Sequence, residues 1–166
     1  MKDPTDLSFW RWFFNFTPSS RTGLKGYLDR WLPVHFILAI GIAHFGDITA
    51  DTANSLCIPF MGIMIALTVA WYGNLTALFN SDEIIELSKY YNGGIIGYAF
   101  HIQAAILFLF LSIILWALFG FQILKNPFLP LFISSITIRD SWHVILFAQQ
   151  LTIAKAKIIQ RNKTQK

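Results

Sequence analysis

Two stretches of this chain are too long and too free of charge to belong to a water-soluble domain. Thirty uncharged residues separate Asp51 from Asp82, and thirty-five separate Lys89 from Lys125. A helix crosses the hydrocarbon core of a bilayer with ~20 apolar residues, and each gap exceeds that. The gaps predict a span over residues 56–79 (LCIPFMGIMIALTVAWYGNLTALF) and another over 95–121 (IIGYAFHIQAAILFLFLSIILWALFGF). Composition agrees: 13% of residues are charged, about half the ~25% of a soluble domain, and mean hydropathy is +0.52. The single Cys57 excludes a disulfide framework and any cysteine-based metal site. The net charge of +4 forms no continuous basic face, so nucleic acid is not an expected partner.

Two further spans complete an all-α membrane protein with four transmembrane helices. Only 16 uncharged residues lie between Arg30 and Asp47, enough for about 24 Å at 1.5 Å per residue. The first span is therefore expected to start upstream, over residues 24–46, with Lys25, Asp29 and Arg30 among the headgroups and Pro33 in its first turn or at a kink. The last span, residues 128–153, is apolar on both flanks but carries Arg139 and Asp140 at its centre.

Five basic residues precede residue 31 and five follow residue 153, whereas the loop GDITADTANS between the first two spans has none. The positive-inside rule puts both termini in the cytoplasm, as an even number of spans requires. The charged region ahead of the first span is too long for an ordinary signal peptide, and no internal repeat points to an inverted-repeat transporter. The run LSFWRWFFNF (residues 7–16), with six aromatics, suits the membrane interface. Ser81, followed by Asp82 and Glu83, reads as the start of a short cytoplasmic amphipathic helix that Asn92-Gly93-Gly94 ends.

Arg139 is the polar residue that most needs an explanation. A charge at the centre of a lipid-facing helix costs at least ~2.5 kcal/mol, so it must face protein or water. At about 100° per residue, Ser135, His143, Leu146 and Gln150 fall within about 40° of it. That stripe reads as the lining of a pore or polar pathway through Ser135, Arg139, His143 and Gln150, in which Arg139 favours anions and His143 responds to pH. The competing reading is structural: an Arg139–Asp140 ion pair that fixes helix packing.

His35 and His101 lie at matching depths, about 8 Å inside their spans at 1.5 Å per residue, and two such histidines suit the axial positions of a b-type haem. Their small neighbours equally permit close packing with a hydrogen-bonded imidazole. Gly62, Ala66, Ala70 and Asn74 form a small-residue face that reads as a helix–helix contact. Arg139 and His143 also invite comparison with the Arg…His pair of HEPN-type ribonucleases, but that pair is spaced more widely and sits in a soluble bundle. No catalytic triad or metal-ligand cluster points to an enzyme.

The run PFMGIMIALTVAWYGNLTALFNSDEI, the opening FWRWFF…TGLKGYLDRW and the closing SSITIRDSWHVILFAQQL resemble a group of small four-helix bacterial inner-membrane proteins. In that group a PLxGI…AWxGN-type second helix and an R-x-x-W-H/Q-type fourth helix recur. The resemblance implies a multi-pass protein of the bacterial inner membrane and carries no assigned activity. By analogy with small multi-span proteins that accompany anti-phage systems, it also suggests a membrane effector of defence. The expected function is a homo-oligomeric pore or gated ion-permeability pathway with the lipid bilayer and other copies of itself as partners, and without a cofactor. The alternatives are a membrane anchor or sensor for a cytoplasmic protein partner and a haem-binding anchor.

Overall fold

The computed structural model of the chain describes residues 8–15, 23–27, 31–79 and 94–164. Among these there are helices and turns but no strand. The expected amphipathic helix after Ser81 lies outside the described residues.

Among the described residues, three helices are long and apolar enough to cross a membrane. The first is a composite rod. Thr49 caps it by accepting a hydrogen bond from the Thr52 amide (3.2 Å). A short turn α4 (Ala50–Thr52) then leads through a π-helical segment (Ala53–Cys57) into α5 (Ile58–Phe79). The second is α6 (Gly94–Gly120) and the third is α7 (Phe128–Thr164). The α6–α7 connection is a Schellman closure: the Ile123 amide reaches the Leu118 carbonyl and the Gln122 amide reaches that of Phe119. Gln122 sits at φ 61°, the left-handed position where glycine is usual. Asn126 accepts from the Phe128 amide (2.8 Å) just ahead of α7, and Pro127 flanks the helix start, where a missing N–H costs nothing.

The outer surfaces of these helices are the wrong chemistry for water. Only 22% of the α4–α5 window and 39% of the α6 and α7 windows are buried. Ile63, Leu67, Phe110, Leu111, Ile114 and Leu129 all point outward, as lipid contact requires. The chain is a multi-pass membrane protein.

Residues 28–30 of the expected first span lie outside the described residues; the rest of it is described. It appears as a single turn, α2 (Leu24–Tyr27), and a 14-residue helix, α3 (Leu32–Phe45), with Pro33 in the first turn of α3. A proline inside a longer helix would remove a backbone hydrogen bond and clash with the preceding turn, so the helix starts at it. At 1.5 Å per residue α3 is about 21 Å long, short of a ~30 Å hydrocarbon core. It runs beside the first third of α7: His35 meets Ser135, and Phe36 contacts the rings of Phe128 (5.3 Å) and Phe132 (6.0 Å).

The aromatic run near the N-terminus forms α1 (Phe9–Phe13) and docks against α6. Phe9 meets Phe100 (5.9 Å), Trp12 meets Phe100 (5.6 Å), and Phe13 meets Phe108 (6.0 Å). Trp12 and Phe13 are buried in a cluster with Ala104 and Ile136, against which Leu32 also packs. Gly23 closes this unit: at φ +61°, any Cβ there would strike the carbonyls of Trp12 and Phe13. Short α1 and short α3 thus occupy different depths beside α6 and α7.

Two cores hold the long helices together. Near the α6–α7 turn, Ala53, Met61, Met64, Leu109, Trp116 and Phe119 pack as one cluster. Towards the other end, Ile102, Ala105, Val144 and Ala148 join α6 to α7, with Trp71 and Tyr72 of α5 against them. The π-helical segment brings Asn54 so close to Gly120 that a side chain at 120 would collide with it. This contact lets the rod pack on the end of α6.

Candidate functional site

The stripe expected on α7 divides into two environments. Ser135 and Arg139 are half-buried, whereas His143, Leu146 and Gln150 are exposed. The Ser135 hydroxyl donates to the Phe132 carbonyl (2.9 Å) and is 3.1 Å from His35 Nδ1. Because the serine proton is directed to a carbonyl, the serine oxygen accepts, and Nδ1 of His35 carries a proton. His35 is buried, so this bond anchors α3 to α7. Arg139 and its neighbour Asp140 are each half-buried and each engaged in polar or electrostatic interactions.

Below Arg139 lies a cavity of about 490 Å³ between α6 and α7, lined by His101, Asp140, His143 and Gln150 with apolar walls from Val144 and Phe147. His101 is half-buried. Its ring meets Trp12 of α1 edge-on at 4.9 Å, and the Asp140 carboxylate acts on it electrostatically. If ~20 residues of α7 from Phe128 cross the hydrocarbon core, Gln150 marks the cavity's mouth. Asp140 then lies about 10 Å inside the core at 1.5 Å per residue. The charged wall residue among those described is therefore Asp140. Arg139 is not among the lining residues.

His35 and His101 are not brought together as a ligand pair. His35 lies level with Ser135, and His101 with the segment of α7 around His143. Eight residues of helix separate those levels, about 12 Å at 1.5 Å per residue. His35 is only three residues into α3, which starts at Leu32, whereas His101 is seven residues into α6. Among the described residues no three His, Cys, Asp or Glu side chains are arranged to hold a metal ion.

The small-residue face of α5 also has a different setting from a contact within the chain. Met61, Met64 and Thr68 face the core, while Gly62, Ala66, Ala70 and Gly73 face outward. A Cβ on Gly62 or Gly73 would meet nothing within 4 Å. Asn74 belongs to α5, but its side chain is outside the described set.

Sequence reasoning missed a seam of buried hydroxyls. Ser134 receives a hydrogen bond from the Trp116 indole (2.7 Å) and shares a second with Ser112 (2.6 Å), all three being buried. Thr137 donates to the Ile133 carbonyl (2.6 Å). Ser141 is fully buried, and its Oγ has no hydrogen-bond partner among the described residues. The spacing of residues 134, 137 and 141 puts them on one face of α7, which was the available signal.

Compared with protein-family models, curated proteins and solved structures, the chain matches none. A function must be argued from its own chemistry.

Proposed function

We propose that this chain is a multi-pass protein of the bacterial inner membrane that self-associates and provides a gated ion-permeability pathway. The observation that carries the reading is the cavity beside α7, where His101, Asp140, His143 and Gln150 bring polar chemistry into a membrane-spanning segment. Polar side chains at that depth are costly and mark ion or proton routes. Four helices of this size enclose no wide pore, so copies assemble, and the bare face of Gly62, Ala66 and Ala70 supports close helix approach between them. A protein of this kind suits a membrane effector in bacterial defence, where opening the pathway dissipates ion gradients.

Reconstitution tests the proposal. Purified protein in sealed liposomes should collapse an imposed ion gradient, and Asp140→Ala, in the cavity wall, should alter the rate. If neither ion flux nor dye leakage appears, the permeability reading fails.

A second reading has its own support. α7 has 37 residues, about 55 Å at 1.5 Å per residue, against a core of ~30 Å. Its basic end, with Lys155, Lys157 and Arg161, supports a membrane anchor for a cytoplasmic protein. A stoichiometric partner that is lost on truncation after Ala154 would favour that role.

A further inference from the structure

The chemistry of the cavity wall narrows the ion that the pathway carries. An anion entering from the Gln150 end meets the Asp140 carboxylate, with Arg139 absent from the wall among the described residues. A hard metal cation takes six or more oxygens, whereas the described wall offers a carboxylate and an amide between Val144 and Phe147. What it does offer is two imidazoles and a carboxylate, groups that can each take up and release a proton. The fully buried hydroxyl of Ser141 follows Asp140 directly in sequence. Thr137 and the Ser134–Ser112 pair then continue along α7 toward the α6–α7 turn.

We infer that the permeant ion is the proton, taken up at His143, exchanged with Asp140 and His101 inside the cavity, and passed toward the Ser141–Thr137–Ser134 hydroxyl seam. No bond other than those to the moving proton changes, and a counter-ion elsewhere in the membrane balances its charge. Trp12, edge-on to His101 at 4.9 Å, holds that imidazole against the cavity. The inference rests on the ion-permeability reading and narrows it.

The test uses the full chain in vesicles of phosphatidylethanolamine and phosphatidylglycerol that contain a pH-sensitive dye. A potassium gradient with valinomycin drives the ions. The wild-type protein should acidify or alkalinise the lumen according to the sign of the potential, with no matching chloride or sodium flux. His143→Gln, at an exposed position that leaves packing intact, and Asp140→Asn should reduce the rate to that of protein-free vesicles. Asp140→Glu should restore it. Chloride or sodium flux without proton flux overturns the proton assignment and leaves the permeability reading standing. Silence towards every ion removes both. Undiminished proton flux through His143→Gln and Asp140→Asn proteins that elute like the wild type overturns the assignment to this cavity.

Discussion

Ser134→Ala isolates the role of the hydroxyl seam. Ser134 serves two partners, accepting from the Trp116 indole at 2.7 Å and sharing a proton with Ser112 at 2.6 Å. Side-chain hydrogen bonds between membrane helices average about 0.6 kcal/mol, so losing two costs about 1.2 kcal/mol. The partners then differ. Ser112 can rotate its hydroxyl to a carbonyl of the preceding turn, but the indole N–H direction is fixed by a ring that is 2% exposed and packed among Met61, Leu109 and Phe119. A stranded buried donor costs about 1–3 kcal/mol. Ser134→Ala should therefore destabilise the α6–α7 pair by about 2–4 kcal/mol. Ser112→Ala, which leaves the Trp116 bond in place, should cost about 0.6 kcal/mol. Equilibrium unfolding by SDS in mixed micelles, followed by near-ultraviolet circular dichroism, reads the difference. Equal effects from the two substitutions would show that the indole bond contributes nothing and refute the argument.

Three other substitutions test separate parts of the fold. Gly23→Ala forces a side chain into the left-handed region and against the carbonyls of Trp12 and Phe13; it should cost about 1–2 kcal/mol and expose α1 to protease in detergent. Ile102→Ala, at a fully buried position between α6 and α7, should lower stability by about 2–5 kcal/mol, measured by the same unfolding assay. Gly62→Leu, on a face with nothing within 4 Å, should leave monomer stability unchanged and reduce particle size in light scattering; an unchanged size removes that face from self-association.

The sequence exposed the long spans because their signal is length without charge, which local packing cannot mask. The boundaries of 56–79, 95–121 and 128–153 lie close to or within the rod Ala50–Phe79, the helix Gly94–Gly120 and the helix Phe128–Thr164. Pro33 was visible but ambiguous: a proline fits a first turn and a kink equally well, and only the start of α3 at Leu32 decides between them. With α3 starting at Leu32, His35 is three residues into its helix against seven for His101 in α6, so their depths do not match. On α7 the angular positions of Ser135, Arg139, His143 and Gln150 were readable, but the face that meets neighbours depends on where α3 and α6 pack. The buried seam of Ser134, Thr137 and Ser141 adjoins that stripe, and hydroxyls carry too weak a hydropathy signal to reveal it.

The shortness of α3 also bears on how the chain is assembled during synthesis. A ribosome delivers the N-terminal region first, yet α3 alone covers about 21 Å at 1.5 Å per residue, and α1 has only five residues. Neither is by itself long enough to cross the lipid, and their docking surfaces, Phe100, Ala104, Phe108, Phe132 and Ile136, are translated after them. Segments α1 and α3, made before α6 and α7, therefore settle only once those two helices have been inserted to receive them.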